Sequence, residues 1–150
     1  MIALTLDMKS IEQSLDDLGT HVNNYVIRGG AQAAAQAFYD EAKINAPVLE
    51  ASGHWFYGTH QKYYFPSGTL KASIYQVFSK DKSNVIAGIA TYQISWNHKK
   101  APYGFMVEYG TSRSPGHAFM RPAWINAKDR AGKLALAHMA ESMTEMQGKS

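Results

Sequence analysis

Glu108 is the carboxylate best placed to do chemistry, because it lies among apolar and aromatic neighbours in Met106-Val107-Glu108-Tyr109. A carboxyl in such surroundings has a raised pKa and can serve as a general acid. The same surroundings suit a structural ion pair with Arg113 or Arg121. A general acid also needs a second reactive group, and none is evident, so the structural role is preferred. The other acidic residues, including Asp16-Asp17, Asp40-Glu41, Asp129, Glu141 and Glu145, are scattered. The six His stand at 21, 54, 60, 98, 117 and 138, and no two have the spacing that puts imidazoles on one helical face. His54 and His60 share one segment without a third ligand, and there is no HExxH, G-x-S-x-G or phosphate-loop pattern. Cysteine is absent, which removes disulfides, thiolate nucleophiles and Cys-based metal sites. No catalytic residue, metal or cofactor is expected.

Binding chemistry is better represented. Trp55, Phe56, Tyr57, Tyr63, Tyr64 and Phe65 crowd one segment without a helical or strand period. Aromatics offered by a loop are typical interface anchors. They serve equally well folded back as a satellite core, and both readings stay open. Lys80, Lys82, Lys99 and Lys100, with His98, form the densest cationic region. A solvated surface is the ordinary explanation, and loose contact with passing DNA is the alternative.

The elements that must position these groups fall into three regions. Up to Pro47 the chain reads as helix. Ile11, Leu15 and Leu18 share one face, Gly19 ends that element, and Thr20 caps a second helix. Its apolar face runs through Val22, Tyr25, Val26, Ala33, Ala37 and Ala42, with Gly29-Gly30 as a kink or break. From Val48 to about Ser114 strand formers and turn residues dominate. Leu70–Phe78 reads as a strand, Lys80–Asn84 as a turn, and Val85–Ile94 as the antiparallel partner, with Gly88 admitting a close neighbour. From Arg121 the chain is helical again, along Trp124, Ala127, Ala131, Leu134 and His138, continued by Met143 and Met146. The last residues, from about 144 to 150, are expected to fray. The fold class is α+β: N-terminal helices, a small antiparallel sheet, and a C-terminal helix packed on one face of that sheet.

The chain has 150 residues, 45% hydrophobic and 18% charged, with a net charge of +3. These totals fit one domain, residues 1–150, and exclude a disordered chain. The N-terminus has no basic stretch before a long apolar run, so no signal peptide is expected. No stretch is long enough for a membrane span. A soluble product of a reducing cytoplasm is the expectation.

Two stretches carry a pattern. One is Ala46-Pro47 followed by Ser67-Gly68-Thr69-Leu70-Lys71-Ala72-Ser73-Ile74. The other is Tyr103-Gly104-Phe105-Met106-Val107-Glu108-Tyr109-Gly110-Thr111, then His117-Ala118-Phe119-Met120-Arg121-Pro122-Ala123. In this order they resemble the tail-component family of lambdoid siphophages, over about residues 30 to 140. The family has Thr-Gly where this chain has Ser67-Gly68, and Pro where it has Ala118. It also lacks the Val48–Phe65 insertion. Physically, Gly110 suits a positive φ and Thr111 a local backbone bond, while Pro122 suits a helix's first turn. Phe119 and Met120 would anchor that helix start in the core.

The resemblance implies a structural virion protein of the head–tail neck, assembled in the bacterial host cytoplasm. Such a protein joins or completes the tail as a ring, commonly a hexamer, around the DNA passage. Its partners would be further copies of itself, the tail-tube or tail-terminator protein and the head-side connector. A ring needs two different contact patches per subunit. The aromatic insertion and an exposed sheet edge are the candidates. Three alternatives stand beside this one: a tail-terminator ring, a small phage hydrolase using Glu108 and a His, and a DNA-binding module.

Overall fold

The computed structural model describes residues 8–57, 59–84 and 87–148. It opens with an unbroken helical run: α1 (Met8–His21), a π-helical stretch (Val22–Ile27) and α2 (Arg28–Asn45). Gly19 does not end a helix and Thr20 does not cap one, contrary to the sequence expectation. A single glycine costs about 1 kcal/mol, too little to stop a helix flanked by good helix formers. The interruption is instead the π-helical stretch, whose wider turn rotates the apolar stripe on one side relative to the other. Leu15 and Leu18 accordingly remain 61% and 53% exposed, and the side chain of Ile11 falls outside the described part.

Gly29-Gly30 is neither kink nor break. A Cβ on Gly30 would lie 2.5 Å from the Met139 methyl carbon, and one on Gly29 would lie 2.6 Å from the His138 ring. At this pair α5 (Met120–Gln147) comes close against α2. The two helices run antiparallel. Phe38 stacks on Trp124 at 4.8 Å, and Arg130 reaches Glu41 at 3.2 Å. Ala35, Ala37 and Ala42 of α2 and Ala123, Ala127 and Ala131 of α5 are buried. These small side chains, not Trp124 or Leu134, make the buried stripe of α5; the latter two are 62% and 43% exposed on its flanks. The helix continues to Gln147, through the start of the segment expected to fray, while Lys149 and Ser150 lie outside the described residues.

Ala46 is extended at ψ 120°, as a residue before proline must be, and this ends α2. Two separate two-stranded antiparallel ribbons follow, β1 (Gly53–Tyr57) with β2 (Lys62–Pro66) and β3 (Ile74–Phe78) with β4 (Tyr92–Trp96). Two short helices, α3 (Thr69–Ser73) and α4 (Gly104–Tyr109), fill the connections. The expected strand Leu70–Phe78 therefore begins four residues late. Its first part is helical because Thr69 Oγ1 donates to the Pro66 carbonyl and Ser73 Oγ to the Leu70 carbonyl, stabilising the turn.

The partner strand is also shifted. It begins at Tyr92, with Phe78 opposite Tyr92 and Ile74 opposite Trp96. Gly88 sits at φ 74° in the connection, so it is a turn residue, and Asn84 and Ile89 pair across it. Val85 and Ile86 lie outside the described residues. The apolar run suggested a covered strand, but the aromatic pair at 78 and 92 sets the register.

The core lies where the end of α2, the β3–β4 ribbon and the start of α5 meet. Ala42, Ala46, Leu70, Ile74, Trp96, Ala101, Phe119 and Ala123 form it. α2 lies on the β3–β4 ribbon, with Arg28 over Phe78 and Gln76 bonded to Gln36. The first turn of α5 joins the same core through Phe119 against Trp96. The architecture is α+β.

Candidate functional site

The residues of the Tyr103–Thr111 and His117–Ala123 segments form one corner. α4 carries Glu108 into the interior, where it is 2% exposed. Its Oε2 accepts from the amides of Phe119 at 2.7 Å and Met120 at 2.9 Å, and its Oε1 from Arg121 at 3.2 Å. The Arg121 side chain adds an ion pair at 3.5 Å, so Arg121 and not Arg113 is the partner.

The chemistry follows from the unfilled donors at a helix start. α5 begins at Met120, and Phe119 at its N-cap offers no capping side chain. Phe119 is fully buried and cannot do both jobs. Glu108 caps the helix from a distance, its charge opposing the positive end of the helix dipole. Pro122 has no N–H to satisfy, and the Ala123 amide turns back to the Phe119 carbonyl at 3.3 Å. Every amide of the first turn is thereby accounted for.

The connection between the two halves is equally determined. Gly110 stands at φ 81°, and a Cβ there would lie 2.6 Å from the Gly116 nitrogen. Thr111 Oγ1 accepts from the Arg113 and Ser114 amides, and His117 N donates to Val107 O at 2.7 Å. Burial pushes the Glu108 pKa up, but the three amides and the guanidinium outweigh it. The carboxyl ends below its ordinary value of 4.5.

The aromatic segment, expected as a loop without period, is the β1–β2 hairpin. Its alternation was hidden because both faces carry aromatics, and the polar residues, His54 and Lys62, fall one on each face and mark no period. Trp55 pairs with Tyr64 and Phe56 with Tyr63. Phe56 and Phe65 turn toward the body, where the Tyr103 ring meets both at 5.1 and 5.0 Å. Trp55, Tyr57 and Tyr64 form the other face, 51%, 74% and 44% exposed. Tyr63 also remains half exposed. The satellite-core reading thus holds for the face that carries Phe56 and Phe65, and the other face is exposed.

Tyr103 was not singled out from the sequence beyond its place in the pattern. Besides stacking on the hairpin, its hydroxyl bonds the Leu70 backbone and the Thr69 side chain, and burial raises its pKa. It ties the inserted hairpin to α3 and α4. Between these parts lies a cavity of about 550 Å³, lined by Val48, Leu49, Phe56, Leu70, Met106 and Val107 among others.

The structure also brings His54 and His117 to that cavity, whereas His60 lies in the turn after β1. Among the described residues no three metal-binding side chains converge. The four lysines are not brought together. Lys80 and Lys82 follow β3, and Lys99 and Lys100 follow β4. That places the pairs at opposite ends of a ribbon whose five paired positions span about 13 Å. No helix among the described residues is long and apolar enough to cross a membrane. Searches of protein-family models, curated proteins and solved structures find no match to this chain.

Proposed function

We propose that this chain is a structural subunit of the head–tail neck of a tailed bacteriophage, joining or completing the tail as a ring around the DNA passage. The observation that carries this reading is the corner. The segments that resemble the tail-component family meet in space, and Glu108 at their centre caps α5. A carboxylate held ionised by three amides is a poor general acid, which favours a structural role over the hydrolase reading. The separated lysine pairs offer duplex DNA only dispersed contacts, which favours loose passage over a DNA-binding module.

The surface supports the same view. The chain leaves 11,025 Å² accessible, against about 7,600 Å² for a compact monomer of 16.6 kDa. Large apolar side chains, Trp55, Tyr57, Trp124, Ile125 and Leu136 among them, are more than half exposed. Such area is characteristic of a subunit that assembles.

The test is removal of the coding sequence from the phage or prophage that carries it. Filled heads and finished tails that fail to join, and that join on addition of the purified protein, are the expected result. Infectious particles formed without the protein would overturn the reading. The terminator alternative predicts tails of uncontrolled length in the same lysate.

A further inference from the structure

Among the described residues, α1 makes no principal contact with any element except the one it runs into. α5 pairs with α2 and the π-helical stretch and ends there, while α1 continues beyond it as the same helical run. Its 14 residues extend about 21 Å. Leu15 and Leu18 stand three apart on one exposed face, and Glu12 and Asp16, four apart, border it. One Lys against one Glu and two Asp leaves the arm acidic.

At the other end of α2 lies the cavity between the β1–β2 hairpin and α4. No acidic residue lines it, whereas His54 and His117 do. Arg113 lies in the turn between its lining residues Thr111 and Ser114, and Lys71 follows Leu70. Glu50, beside Leu49, and Glu108, beside Val107, are the neighbouring acids, and Glu108 is taken up by Arg121 and the start of α5. Leu49 and Met106 at the cavity are 53% and 51% exposed.

We propose that α1 of one copy docks on this cavity of a second copy, seating Leu15 and Leu18 between Leu49 and Met106, with Glu12 and Asp16 toward Arg113 and Lys71. The occupant is a second copy because arm and cavity lie at opposite ends of α2, whose 18 residues span about 27 Å. An arm therefore points away from the cavity of its own chain. Apolar surface and charge are complementary between the two ends. The contact is head-to-tail, so repeating it yields a closed ring or an open filament. The closed form rests on the ring reading above; the pairwise contact does not.

The absence of cysteine makes the test clean. Leu18→Cys and Leu49→Cys proteins are prepared singly, mixed near millimolar concentration and oxidised. A disulfide-linked dimer should form in the mixture, and each variant alone should stay monomeric. A protein carrying both substitutions should give a ladder or a closed ring. Adding Leu15→Asp to the Leu18→Cys protein should cut the cross-link at least ten-fold at unchanged melting temperature. No cross-link in the mixture overturns the proposal. So does equal cross-linking of Leu18→Cys alone, which would mean that arms pair with arms, or persistence of the link with Leu15→Asp. Cross-linked protein that never enters particles would sink the neck reading and leave this contact standing. Particle entry with no cross-link would do the reverse.

Discussion

The corner around Glu108 and the β1–β2 hairpin are close neighbours built on opposite principles. In the corner the amides at the start of α5 find their acceptor inside the chain, and the key side chains, Glu108 and Phe119, are buried. In the hairpin one aromatic face is packed on Tyr103, while the other, Trp55, Tyr57 and Tyr64, is exposed, with Tyr64 donating to the Ser52 carbonyl beside the ribbon. The corner closes the fold and the hairpin leaves it open. The same residue classes that read as conspicuous in sequence thus divide into one group buried within the chain and another left exposed.

The comparison breaks most sharply at Glu108. Glu108→Ala leaves three buried amides and a guanidinium without their acceptor, and should cost about 3–5 kcal/mol in urea unfolding. Assembly should fail only through that loss. Phe56→Ala, on the packed face of the hairpin, should cost about 2–3 kcal/mol and loosen the hairpin from Tyr103. Gly110→Ala forces a Cβ into positive φ and against Gly116, for about 1–3 kcal/mol in the same measurement. Replacing Trp55, Tyr57 and Tyr64 singly by Ser should change stability by less than about 0.5 kcal/mol, yet reduce incorporation into particles. Equal destabilisation by Trp55→Ser and Phe56→Ala would erase the distinction between the faces.

The pH dependence sharpens the same contrast. The folded carboxyl of Glu108 titrates below its ordinary value of 4.5, and the unfolded one near it. Its contribution to stability is therefore present above about pH 4.5 and is lost as pH falls through the lower, folded value. Melting temperature should drop across that acid window in the native protein. The Glu108→Gln variant should lack that share of the slope.

Part of this was legible from residue types. Pro47 marks the end of α2 because proline constrains the residue before it, whatever lies around. Gly110 was assigned to a turn, and its φ is 81°. Pro122 stands in the first turn of α5. Other features were hidden. The hairpin showed no period because its two faces differ in partner and not in polarity. Gly19 and Gly29-Gly30 looked alike as helix weak points, but Gly19 meets nothing within 4 Å while Gly30 meets Met139. Glu108 presented two arginine candidates, and only the fold placed Arg121 in reach.

By itself the sequence determined the local rules: where proline and glycine constrain the backbone, which segments favour helix or strand, and the absence of cysteine chemistry. These are properties of one residue and its immediate neighbours. The tertiary structure decided the rest. Glu108 meets the start of α5 across 11 to 13 residues. The cavity gathers residues from Pro47 to His117, and among the described residues α1 has its principal contacts only with the π-helical stretch that it continues into. Each depends on distances between segments far apart in the chain, and spacing along the chain does not encode them.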